Sequence, residues 1–71
     1  MNGESYIVAV DGAQRCAGAG RRKALAEVCA VLDAEPASRL IVVADERTLE
    51  VRALWFRCGP SWSTRDSGWL H

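Results

Sequence analysis

The sequence predicts an α+β fold: one small domain in the order β(β)αββ, with three or four strands in one sheet and a single helix packed on one face. Three observations predict it. The chain has 71 residues, enough for one domain and too few for a doubly wound sheet. Short β-branched runs recur between turn residues, the pattern of strands. Between two of those runs the apolar period changes to that of a helix.

Tyr6-Ile7-Val8-Ala9-Val10 reads as the first strand. It is stopped by Asp11-Gly12, a pair that also marks a two-residue hairpin loop. Residues 13–17 are then a weak return strand, and Gly18-Ala19-Gly20 breaks the chain. The helix is expected over residues 21–35. Leu25, Val28, Cys29 and Leu32 recur at i, i+3, i+4 and i+7, with Ala24 and Val31 widening the stripe. Ala26, Ala30 and Ala34 form a second row of small residues. Pro36 ends the helix and pushes Glu35 out of helical geometry. Residues 39–44 read as the next strand, apolar on both faces. Asp45-Glu46-Arg47-Thr48 is a polar turn. Residues 49–56 form the last strand, with Leu49, Val51, Ala53 and Trp55 on one face and Glu50, Arg52, Leu54 and Phe56 on the other. Strand order with the helix as a crossover makes the runs at 6–10 and 39–44 parallel neighbours. The pattern stops after Cys58-Gly59-Pro60, so residues 1–60 are the compact αβ domain and 61–71 a tryptophan-containing tail.

One helix covers one face of such a sheet. The other face carries Ile7, Ala9, Ile41, Val43, Leu54 and Phe56, or the complementary set. It needs the tail, a second copy or a partner protein to cover it.

Composition narrows the function classes. Nine basic and nine acidic side chains give no net charge, which argues against non-specific nucleic-acid binding as the main role. The composition, 49% hydrophobic and 25% charged, is globular rather than disordered. Three cysteines, Cys16, Cys29 and Cys58, are an odd and widely spaced set. Cys29 reads as a small core residue and the others as incidental thiols. No cationic, apolar leader is visible, and the longest aliphatic run, residues 40–44, is too short to cross a bilayer. The expectation is a cytoplasmic protein with no membrane contact and no cofactor.

Three constellations carry candidate chemistry. Arg15 and the run Arg21-Arg22-Lys23 form a basic cluster at a helix start, suited to an acidic surface or to nucleic acid. Asp11, Glu27 and Asp45 would meet at one sheet edge if the strands before the two aspartates are parallel; three such carboxylates suit Mg²⁺. Trp55, Phe56, Trp62 and Trp69, with Arg52, Arg57 and Arg65 among them, match the residue types of binding hot spots and of single-strand stacking platforms. They equally suit a core that a short chain must complete with every large side chain. His71, the only histidine, is expected to be loose and no catalytic base.

Two family resemblances bear on these residues. Val10-Asp11-Gly12-Ala13, Ala26-Glu27 in the helix and Leu40-Ile41-Val42-Val43-Ala44-Asp45 resemble a contracted ribonuclease H pattern, which implies an Mg²⁺-dependent nuclease fragment with Asp11, Glu27 and Asp45 as metal ligands. Ser5-Tyr6-Ile7-Val8-Ala9-Val10-Asp11-Gly12, the alanine-rich helix from Ala24 to Ala34 and the turn at Asp45 to Thr48 resemble the plan of small phage anti-CRISPR inhibitor proteins. That resemblance implies stoichiometric occlusion of a host protein or ribonucleoprotein complex, without catalysis. The leading expectation is therefore a non-enzymatic protein-binding module. Its contact residues are Leu54, Phe56, Trp62, Arg65 and Trp69, with Arg15, Arg21, Arg22 and Lys23 as a second patch. A homodimer through the open sheet face is the further alternative.

Overall fold

The chain reverses immediately after its first strand. The computed structural model describes residues 4–35, 37–66 and 68–69; the roles expected of Pro36 and His71 lie outside them. Strand β1 (Tyr6–Val10) is followed by β2 (Ala13–Ala19). Asp11 and Gly12 link them, with φ of 52° and 84°. Positive φ at both central positions is what a tight hairpin loop matching the strand twist demands, and Asp-Gly supplies it at low cost. Helix α1 (Arg21–Ala34) comes next, then β3 (Leu40–Asp45), β4 (Val51–Cys58) and β5 (Ser61–Asp66).

The five strands form one sheet in the order β2-β1-β3-β4-β5, and every pairing is antiparallel. The α+β class with one helix on one face is as the sequence predicts, but there are five strands rather than three or four. The expected parallel pairing of β1 with β3 is corrected. Tyr6 lies opposite Asp45 and Val10 opposite Ile41. The hairpin at Asp11-Gly12 is the reason: it turns the chain before the helix begins. The crossover through α1 therefore leaves from β2, and β1 is inserted between β2 and β3.

The second correction is β5. Residues 61–66 do not begin a tail but pair with β4 in unbroken register, from Cys58 opposite Ser61 to Ala53 opposite Asp66. Gly59 has φ +65°. A glycine at the first position of a two-residue loop makes a hairpin turn, and Pro60 has its φ pre-set for the second.

One face of the sheet carries the core. Val8, Val28, Val31, Ile41 and Val43 are fully buried, and Tyr6, Val10, Ala53 and Trp55 join them. The helix buries Ala24, Val28 and Val31, while Leu25 and Leu32 pack half-buried beside them. The stripe is thus rotated from the expected one, and Cys29 is exposed rather than in the core. No side chain caps the helix start at Gly20, and three cations in its first turn oppose the helix dipole. Arg21 is held there by Trp69: its Nε donates to the Trp69 carbonyl at 2.9 Å, and its guanidinium lies 5.7 Å from the indole centroid. Trp69 also meets Tyr6 edge-on at 5.3 Å and is 4% exposed, so it closes the helix-side layer.

Candidate interaction surface

The opposite face of the same sheet has no cover among the described residues. Alternation and register place Ile7 and Ala9 of β1, Val42 and Ala44 of β3, and Leu54 and Phe56 of β4 on this outer face. Ile7 lies opposite Ala44, Ala9 opposite Val42, and Val42 opposite Leu54. All six are only half-buried. They form one continuous apolar strip across the three central strands. Of the two sets the sequence allowed, β3 contributes Val42 and Ala44 here, while Ile41 and Val43 go to the core.

The strip is bordered by cations. Arg65 lies opposite Leu54 and is exposed. A register shift between Val43 and Ala44 makes room for one extra residue in β4, so that Ala44 pairs with Val51 and Arg52 falls in the bulge. Bulges bend a strand and re-aim its side chains. A hollow of ≈ 170 Å³ opens here, lined by Val51, Arg52, Ala53, Leu54, Arg65 and Asp66. Beyond it, the loop tip presents Leu49, 70% exposed, next to Val51, 47% exposed. Leu49 has φ +62°, a left-handed conformation that costs a branched residue roughly 1–2 kcal/mol. Leu49 and Val51 were expected on the Ala53–Trp55 face; the bulge instead sets Val51 opposite Ala44 of the outer face, and Leu49 lies in the loop before β4 begins. Sequence alone gave no signal for this, because a bulge leaves the alternation of apolar residues unchanged up to the point where it falls.

The predicted contact residues divide three ways. Leu54, Phe56 and Arg65 come together on the outer face. Trp62 lies on the other side of the sheet, half-buried, with the Arg57 guanidinium 4.4 Å above its ring. Trp69 is core. With Phe56 and Trp62 on opposite faces, the aromatic residues do not make one stacking platform.

The basic cluster also separates. Arg15 sits at the far end of the helix from Arg21, Arg22 and Lys23, as its ion pair with Glu35 shows; the helix between spans about 20 Å. Arg15 Nη1 donates to Glu35 Oε2 at 2.9 Å, and Nη2 donates to Glu35 Oε1. This hydrogen bonding holds the Glu35 carboxyl below its usual range and raises the Arg15 guanidinium further. Arg22 and Lys23 remain exposed on the helix start.

The carboxylate set does not converge, which corrects the edge expected from parallel strands. Asp11 lies at one end of β1 and Asp45 at the other, opposite Tyr6, a separation of about 17 Å along the strand. Both do backbone work. Asp11 Oδ1 accepts the amides of Arg39 and Leu40 at 2.9 and 3.0 Å. Asp45 Oδ1 accepts those of Arg47 and Thr48 at 2.8 and 3.2 Å, which pulls its carboxyl below the usual range. Aspartates at strand ends commonly serve turns this way. Among the described residues no group of three or more His, Cys, Asp or Glu side chains is placed to hold a metal ion. A second hollow, ≈ 720 Å³ and lined by Ala37, Ser38, Arg39, Arg57 and Gly59, lies at the other end of β4 from Leu49 and includes none of the predicted contact residues.

Among the described residues, no helix is long and apolar enough to cross a membrane. Comparison with protein-family models, curated proteins and solved structures finds no match.

Proposed function

We propose that this chain is a non-enzymatic protein-binding module that docks the outer face of its sheet on a protein partner. The observation carrying the proposal is the strip Ile7, Ala9, Val42, Ala44, Leu54 and Phe56, half-exposed across three adjacent strands with no described element over it. Contiguous apolar surface of this kind marks interaction sites. Arg65, which is exposed, borders the strip beside the hollow at Leu54, so the fitting partner presents an apolar patch with a carboxylate at that border. Val51, opposite Ala44, extends the same surface, and Leu49 stands at the adjoining loop tip, where a strained and exposed leucine is better explained by contact than by folding.

The resemblance to small phage anti-CRISPR proteins supports a narrower form: stoichiometric occlusion of a host protein or ribonucleoprotein complex, inside the host cytoplasm. In that form the chain needs no catalytic group. The test is capture on immobilised wild-type chain against a Leu54→Lys chain of equal thermal stability. A protein held stoichiometrically by the wild type and lost from Leu54→Lys supports the proposal. Equal capture by both chains removes it. Salt-sensitive capture of nucleic acid, weakened by Arg22→Ala but not by Leu54→Lys, would instead favour a nucleic-acid module working from the helix start.

A further inference from the structure

The two edges of the sheet are built differently. β2, at one edge, is irregular: its pairing with β1 shifts between Tyr6 and Val8 and again between Val8 and Ala9. At the shift the Gly18 amide leaves the ladder and donates instead to Glu46 Oε1 at 2.8 Å. Such bulges are one way proteins keep an edge from pairing with another chain. Among the described residues, β5 at the other edge has no such irregularity. Six consecutive residues, Ser61–Asp66, pair with β4 without a register shift, and no proline interrupts them.

The direction of the free groups follows from the register. The Arg57 amide donates to the Arg39 carbonyl on the β3 side. Amides alternate in direction along a strand, so Leu54, Phe56 and Cys58 turn theirs to β5. Their partners Arg65, Ser63 and Ser61 answer them. Trp62, Thr64 and Asp66 are left with N–H and C=O pointing out of the edge.

We propose that β5 pairs antiparallel with β5 of a second copy about a two-fold axis at Thr64. That register sets Thr64 opposite Thr64 of the partner, and Trp62 opposite Asp66. All three outward residues of each strand then fall in hydrogen-bonded pairs, the closely exchanging kind. Charge favours this register. Asp66 of each copy comes beside the Arg57–Trp62 pair of the other, while Arg65 falls opposite Ser63 and meets no like charge. One Asp66 oxygen already accepts the Gly68 amide at 3.0 Å, which steadies the carboxylate. With the axis perpendicular to the sheet, the two outer faces join into one ten-stranded surface. The inference does not rest on the partner-binding proposal, because it concerns the edge and not the face.

Sedimentation velocity of the full chain across a concentration series tests it. The expected result is a monomer–dimer equilibrium. Thr64→Pro removes the central amide of both copies at an edge position where proline is tolerated, and should raise the dissociation constant about tenfold or more with an unchanged circular dichroism spectrum. Asp66→Arg should also weaken the dimer, and adding Arg57→Glu should restore it. A monomer at every concentration overturns the inference. So does a dimer that survives Thr64→Pro and Asp66→Arg, or one dissolved only by Leu54→Lys, which would place the contact on the outer face.

Discussion

The two faces of the central strands carry nearly the same residue types and have opposite fates. On the helix side, Val8, Ile41 and Val43 are fully buried. On the outer side, their chain neighbours Ile7, Val42 and Ala44 are half-exposed. β-Branched residues fill both faces because a strand between two neighbours selects for them on either side. The identity of the core face is decided elsewhere, by where the helix and Trp69 come to rest. The lesson is that apolar pattern identifies central strands but does not say which of their faces is kept for folding.

That contrast is measurable. Trp69→Ala should cost about 3–5 kcal/mol, the usual range for removing a buried tryptophan, because it also releases Tyr6 and Arg21; urea denaturation reads it. Ile41→Ala, on the core face, should cost about 2–5 kcal/mol, whereas Val42→Ala, one residue along on the outer face, should cost about 1 kcal/mol or less. Equal losses from the latter two would mean that the outer face is packed as well. Fluorescence gives a second view of the same division. Iodide should quench Trp62 and leave Trp55 and Trp69, 7% and 4% exposed, largely protected. In Trp62→Phe, most of the quenchable signal should be gone.

Smaller effects concern the loop tip and the helix end. Leu49→Gly should stabilise the fold by up to about 1 kcal/mol, since glycine accepts φ +62° without strain and Leu49 has little packing to lose. If Leu49 is held for contact, the same variant should weaken partner capture, an opposite change in two assays. The smallest effect is on acid stability. Glu35 has its folded pKa lowered by Arg15, so its contribution is present above the ordinary carboxylate value of 4.5 and is lost as pH falls through the folded value. Glu35→Gln should therefore lower stability slightly near neutrality, leave it unchanged at low pH, and so flatten the acid limb of the stability curve.

Much of the fold was legible because local chemistry was strong. Asp11-Gly12 names its hairpin, the i, i+3, i+4 spacing names the helix, and Tyr6–Val10 coincides with β1. The parallel reading of β1 and β3 arose from applying the crossover to the wrong strand; the return strand that contradicts it was already visible at residues 13–17. β5 was illegible for a different reason. Trp62 is its only large apolar residue, and Gly59-Pro60 reads equally as a breaker or as a turn until a partner strand is known. The candidate site was half legible. Leu54, Phe56 and Arg65 follow from the two-residue period, but Leu49 and Val51 depend on a bulge that no residue type announces. Trp69 was offered as a contact because an aromatic near the chain's end looks the same whether it seeks a partner or its own core.

Carbene footprinting of the isolated chain, read residue by residue by mass spectrometry, tests most directly whether the sheet has one closed and one open face. Label is predicted on Ile7, Val42, Leu54 and Phe56 and not on Val8, Ile41 or Val43. Equal protection of the two sets would contradict an open outer face.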